Sequence, residues 1–168
     1  MKTLIAFYSR TGNTRKVAEK ISQILNSKID EITDTKDRKG AKGYLVAGKD
    51  STLKKLTYIM FSEDPSKYDL VIIGTPIWTW NVVPAVRTYL IQNKEKMKNV
   101  AFFSTSGGGG IERTFKTMQS LSKKPIAKLS LTTKEWTSKL DLSKDKNAEK
   151  IENFCKEINE KNPTSKFD

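Results

Sequence analysis

The chain has 168 residues and carries 31 Lys and Arg against 19 Asp and Glu, a formal charge of +12. This length favours one domain large enough to bury its own core. There is no histidine and one cysteine, Cys155, which excludes His-based acid–base catalysis, His-ligated haem, most catalytic zinc sites, intramolecular disulfides, paired-cysteine redox motifs and four-cysteine iron–sulfur centres. Any redox work must then fall to an organic cofactor.

No apolar run approaches the ~18 residues of a membrane span. The first residues enter an apolar strand pattern directly, without the core region and small-residue cleavage site of a signal peptide. A cytoplasmic protein that engages no membrane is the expectation.

In chain order, Leu4-Ile5-Ala6-Phe7-Tyr8 reads as a buried strand, and Val17, Ala18, Ile21, Ile24 and Leu25 then share one helical face. Residues 28–34 read as a weaker second strand and 35–43 as an exposed Lys/Gly-rich loop. Leu45, Leu53, Leu56 and Ile59 suggest a helix over 44–60, although Gly48 is a poor helix former. Leu70-Val71-Ile72-Ile73 is the clearest strand, continuous and rich in β-branched residues as a central parallel strand should be. Pro84 suits the first turn of the next helix, with Val86 and Leu90 inward. Val100-Ala101-Phe102-Phe103 forms another strand, and Ile111, Phe115, Met118 and Leu121 a helical stripe. Residues 125–132 form a last strand through Ile126, Leu129 and Leu131, before a closing helix lined by Ala148, Ile151, Phe154, Cys155 and Ile158. On that apolar face Cys155 reads as a packed core thiol. Residues 1–162 form the domain and 163–168 a polar tail.

Five strands alternating with five helices predict a parallel sheet covered on both faces. Ligands of such sheets bind beyond the carboxyl ends of the strands, where the strand order reverses. The loops after strands one, three and four are therefore the candidates. The first, Ser9-Arg10-Thr11-Gly12-Asn13-Thr14, joins a strand to a helix; its hydroxyls, its amide and Gly12 can wrap a phosphate at the helix N-terminus. A polar turn capped by Asn13 or Thr14 reads equally simply. The second, Gly74-Thr75-Pro76-Ile77-Trp78-Thr79-Trp80-Asn81, places two tryptophans where a flat aromatic ligand would cover them, unless both merely cap the core. The third, Ser104-Thr105-Ser106-Gly107-Gly108-Gly109-Gly110, offers unobstructed backbone amides or a plain connector. Together, bordering one crevice, the three point to a bound ligand.

These residues resemble the flavodoxin family. Residues 9–14 match its phosphate loop, Ser/Thr-x-Thr-Gly-x-Thr; residues 74–78 resemble the first loop that grips the flavin ring, and 104–108 the second. The resemblance runs over nearly the whole chain in the right order and in a short-chain form. It implies a flavodoxin-like three-layer α/β sandwich with a five-stranded parallel sheet of order 2-1-3-4-5. It also implies one FMN, held by Ser9, Arg10, Thr11, Gly12, Asn13 and Thr14 at the phosphate and by Thr75, Pro76, Ile77, Trp78, Thr79, Trp80, Ser104, Thr105, Ser106, Gly107, Gly108 and Gly109 around the ring. Trp78 or Trp80 would stack. No side chain need act as acid or base, and the protein would shuttle electrons between a reductase and acceptor proteins.

Family members are usually acidic, whereas this chain is basic. Its redox partners are then expected to be acidic at the docking face, with electron transfer slowed by salt. Neither ring loop contains Asp or Glu, so the second reduction should be eased. An FMN-dependent NAD(P)H oxidoreductase of quinone-reductase type is the rival on the same fold. No nucleic-acid recognition motif is present.

Overall fold

The computed structural model describes residues 1–35, 56–133, 140–142 and 145–161. In chain order β1 (Thr3–Phe7) leads through α1 (Asn13–Leu25) to β2 (Lys28–Glu31). The short strands β3 (Thr33–Asp34) and β4 (Ile59–Met60) come next, then β5 (Leu70–Trp78), β6 (Asn81–Val82) and α2 (Pro84–Asn93). Last are β7 (Asn99–Ser106), α3 (Ile111–Leu121), β8 (Lys128–Thr132) and α4 (Asp145–Glu160).

Strand periodicity builds both layers. Side chains alternate across a strand, so Leu4, Ala6 and Tyr8 enter one core with Val71, Ile73, Val100 and Phe102, under Val86 and Leu90 of α2 and Phe115 and Met118 of α3. Ile5 and Phe7 enter the other with Leu70, Ile72, Ala101 and Phe103, under Val17, Ala18 and Ile21 of α1 and Ile151, Phe154 and Ile158 of α4. β1 pairs in parallel with β2 and β5, β5 with β7, and β7 with β8. The order is β2-β1-β5-β7-β8, so the five parallel strands run 2-1-3-4-5 as expected. Packing is tight where Gly74 of β5 passes under Phe103: a Cβ there would stand 2.1 Å from the Phe103 ring.

The sheet differs from the expectation in one strand. β6 folds back antiparallel on the end of β5, pairing Ile77 with Val82 and Trp78 with Asn81, and makes the sheet six-stranded. The helix expected over 44–60 lies, for residues 44–55, outside the described residues. Its expected end is extended: β4 pairs with β3, joining Asp34 to Ile59. Thr57 is buried and Ile59 half-buried, while Leu56, Tyr58 and Met60 face outward. That is strand alternation, favoured by β-branched Thr57 and Ile59. Residues 36–43 of the expected loop and the 163–168 tail also lie outside the described residues. In α1, Ile24 is exposed and Leu25, on the i+4 row from Ile21, takes the inward place. Four α-helices are present among the described residues, and none is long and apolar enough to cross a membrane. Cys155 is buried, and burial, with Glu152 nearby, pushes its thiol up to about 12, so it packs as a protonated core side chain.

Candidate functional site at the carboxyl ends of the central strands

β1, β5 and β7 are neighbours in the sheet. From β1 the chain moves outward to β2 and later returns on the other side through β5, and this reversal separates the loops at the strand ends. They border a crevice that is open to solvent and spans about 590 Å³ with that open space included.

The first wall is the loop before α1. Gly12 adopts φ 88° at the N-cap, a left-handed conformation that glycine takes without strain. It has no side chain with which to cap the helix. Ser9 Oγ instead accepts the N–H groups of Gly12 (3.2 Å) and Arg15 (3.3 Å). Asn13 Oδ1 accepts the N–H of Leu140 at 2.9 Å, and the hydroxyls of Thr14 and Thr105 bond to each other at 2.8 Å. Three of the polar side chains expected to hold a phosphate therefore shape the loop. What remains toward the crevice is the exposed Thr11, the half-buried Arg10, and the N-terminus of α1, where the N–H of Thr14 has no protein acceptor among the described residues. The positive end of the helix dipole adds to that donor. Arg15 points outward and pairs with Glu31.

The second wall is the hairpin of residues 78–81. Trp78 and Asn81 pair, so Thr79 and Trp80 form a two-residue turn with φ 49° and 57°. Such turns need positive φ at both central positions and favour Asn-Gly. A β-branched threonine and a tryptophan are strained there. The two indoles part company. Trp78 is 8% exposed, with Tyr8 edge-on to it (centroids 5.6 Å, planes at 86°) and the Arg10 guanidinium 5.2 Å from its ring centroid. Trp80 is 60% exposed at the rim.

The third wall is the glycine loop. A Cβ on Gly109 would lie 2.8 Å from Trp80 Nε1, and one on Gly110 2.4 Å from Trp80 Cα. These two glycines thus let the loop close onto the hairpin, while Gly107 lines the crevice and Gly108 faces open space. Ser106 lines the crevice with a buried hydroxyl that has no partner among the described residues.

Of the residues singled out in the sequence, Arg10, Thr11, Asn13, Thr14, Pro76, Ile77, Trp78, Thr79, Thr105, Ser106 and Gly107 line the crevice. Ser9 and Gly12 shape its first loop; Trp80, Gly108 and Gly109 stand at the rim. Thr75 and Ser104 lie inside the sheet rather than on the crevice, with Thr75 Oγ1 donating to the Pro76 carbonyl (2.8 Å) and Ser104 Oγ to Ser130 Oγ (3.0 Å). Sequence reasoning missed Thr133. It lines the crevice, and its N–H donates to the Ser106 carbonyl at 2.8 Å, carrying the β7–β8 ladder one residue further. Only the polar residues ending the last strand hinted at it.

The donor set fits an anionic, flat, partly polar molecule. It offers a helix N-terminus for the anion, aromatic and apolar surface beside it, and an unpartnered hydroxyl in the wall. Among the described residues no carboxylate lines the crevice, and no acid or cysteine cluster could hold a metal ion.

No curated protein matches the chain. Among solved structures it is similar to a flavoprotein from Lactobacillus acidophilus NCFM in complex with FMN. That similarity has 28% identity and a TM-score of 0.68, covering 77% of this chain and 92% of that one. Oxidised flavodoxins 1 and 2 from Bacillus cereus share the fold at 18% identity, with TM-scores of 0.56 and 0.61 over 96% of this chain and 99% and 100% of theirs. A family model described as flavodoxin matches residues 2–154, and over that span the chain belongs to the flavodoxin family.

Proposed function

We propose that this chain binds one FMN in the crevice and carries electrons between a reductase and acceptor proteins. The observation that carries the reading is the N-terminus of α1, where Gly12 supplies no side-chain cap and the helix opens onto a crevice that combines hydroxyls with the apolar and aromatic surface of Pro76, Ile77 and Trp78. Such a terminus suits a phosphate monoester. Ser106 Oγ and the backbone around Gly107 suit the polar edge of a flavin ring, with Trp78 and Trp80 giving it apolar surface. The FMN held by the Lactobacillus acidophilus protein supports the same choice. When bound, FMN supplies reversible electron uptake; the protein orients it and sets its surroundings. The chain has no histidine, and among the described residues no carboxylate lines the crevice to move a proton, which favours a carrier over an acid–base enzyme. With a charge of +12, the chain suits acceptors that are acidic at the docking face.

One observation favours a second reading. Gly107 and Gly108 are exposed, and Gly108 has open space where a Cβ would be, leaving that wall clear for a nicotinamide as in an FMN-dependent NAD(P)H oxidoreductase. Titrating the apoprotein with FMN separates the possibilities. Saturable one-to-one quenching of flavin fluorescence is expected, with reduction by a reductase and no steady turnover on NADPH and a quinone alone. Such turnover would move the assignment to the oxidoreductase, and absence of quenching would remove both readings.

A further inference from the structure

Arg87 is the fourth residue of α2 and is 4% exposed. Its Nη2 donates to Asn81 Oδ1 at 3.2 Å, and its Nε has no partner among the described residues. No carboxylate pairs with it among the described residues. Burial lowers the guanidinium's affinity for its proton, but from so high a starting point that the group stays charged near neutral pH. Desolvating a charge without a counter-ion is among the costliest arrangements in a fold, and an apolar side chain of similar volume would pack there more cheaply. A packing role alone therefore does not account for it.

Its one polar contact leads to the crevice. Asn81 is 1% exposed, and the same Oδ1 also accepts the N–H of Val82 at 2.9 Å. Asn81 is the ladder partner of Trp78 and closes the strained turn at 79–80; Trp78 and Thr79 line the crevice. The charge is thus tethered to the residue that pairs with Trp78 of that aromatic wall. Among the described residues no acid lines the crevice to offset it.

We infer that Arg87 is a positioning residue that, through Asn81, holds the 78–81 hairpin in its left-handed turn and tethers a fixed positive charge to it, so that the site favours the more negative redox state of its aromatic ligand. This rests on the FMN reading above. Oxidised FMN that takes two electrons from dithionite and one proton from water gains one negative charge on the ring, and Arg87 favours that state by Coulomb attraction across a desolvated wall. It touches no reacting atom and acts only through the hairpin and through its field.

Three variants separate position from charge. Arg87→Met keeps the volume and removes the charge; Arg87→Lys keeps the charge and loses the planar fork; Asn81→Asp sets a carboxylate against the guanidinium while keeping the acceptor for Val82. Thermal melting and near-ultraviolet circular dichroism of each apoprotein report the fold and the hairpin. FMN titration gives the oxidised affinity, and an anaerobic dithionite titration against reference dyes gives the potential. For Arg87→Met and Asn81→Asp the ratio of reduced to oxidised affinity is expected to fall about tenfold, ~30 mV more negative for the two-electron couple. Arg87→Lys should keep that ratio and alter the tryptophan dichroism of the apoprotein. An Arg87→Met or Asn81→Asp protein that binds FMN at wild-type potential overturns the proposal. If Arg87→Met does not fold, Asn81→Asp alone decides. A wild-type protein that takes up no FMN overturns the underlying reading instead, and this proposal with it.

Discussion

Two of the three walls of the crevice, the loop before α1 and the 78–81 hairpin, are built on opposite plans. The loop before α1 puts each residue in a conformation it prefers: glycine takes the one left-handed position, and short polar side chains tie the backbone down. The 78–81 hairpin puts threonine and tryptophan at positive φ and holds them there by contacts from elsewhere, with Gly109 and Gly110 on one side and Asn81 with Arg87 on the other. The first wall's backbone suits its own residues; the second's is imposed on its sequence by the rest of the fold. Strain of that kind persists only where surroundings over-determine it, and it concentrates at functional sites.

Substituting Gly12 of the first wall and Gly110, which the glycine loop packs against the hairpin, puts the contrast to its hardest test. At Gly110, φ is 75° and a Cβ would meet the Trp80 backbone at 2.4 Å. Gly110→Ala should therefore add overpacking of about 1–3 kcal/mol to left-handed strain of about 1–2 kcal/mol. At Gly12, φ is 88° but nothing stands within 4 Å, so Gly12→Ala should cost only the strain, about 1–2 kcal/mol. Urea unfolding of the two apoproteins measures both. Equal losses would mean that the hairpin is no more dependent on its surroundings than the loop.

The same contrast decides what was legible in the sequence. The parallel strands stood out as β-branched runs, and the first loop because Gly12 and its hydroxyls are a local signal. The hairpin had no such signal. Thr79 and Trp80 lack the Asn-Gly that marks a two-residue turn, and Val82-Val83-Pro84 looks like the approach to a helix, so β6 went unseen. Arg87 reads as an ordinary outward-facing helix residue, because burial of a charge is decided by tertiary packing around Asn81 and not by periodicity. The two tryptophans could not be ranked, since their difference in exposure arises from Tyr8 and Arg10, which pack against Trp78 from the first wall. Asn13 and Thr14 were legible as polar residues but not as structural ones, because their partners, Leu140 and Thr105, lie far away in sequence.

Within the hairpin, Trp80 should matter to the ligand more than to the fold. It is 60% exposed, so Trp80→Ala is expected to leave the unfolding midpoint nearly unchanged and to weaken FMN about tenfold, the loss of roughly 1.5 kcal/mol of aromatic contact. Fluorescence titration and thermal melting of one sample give both numbers. A large drop in the melting temperature with unchanged FMN affinity would instead make Trp80 a packing residue and the glycine loop its socket.

The smallest effect tests the strain itself. Asparagine tolerates the left-handed region far better than a β-branched residue and is favoured at the first central position of such a turn. If the surroundings force Thr79 into φ 49°, Thr79→Asn should stabilise the apoprotein by about 0.5–1 kcal/mol, part of the strain a disfavoured backbone region carries. The gain should appear as a higher urea midpoint with an unchanged slope, because a change of slope would signal an altered unfolded state. Loss of stability in Thr79→Asn would mean that the threonine's own contacts outweigh its backbone preference, and the hairpin would then belong with the first wall as a segment at ease with its own residues.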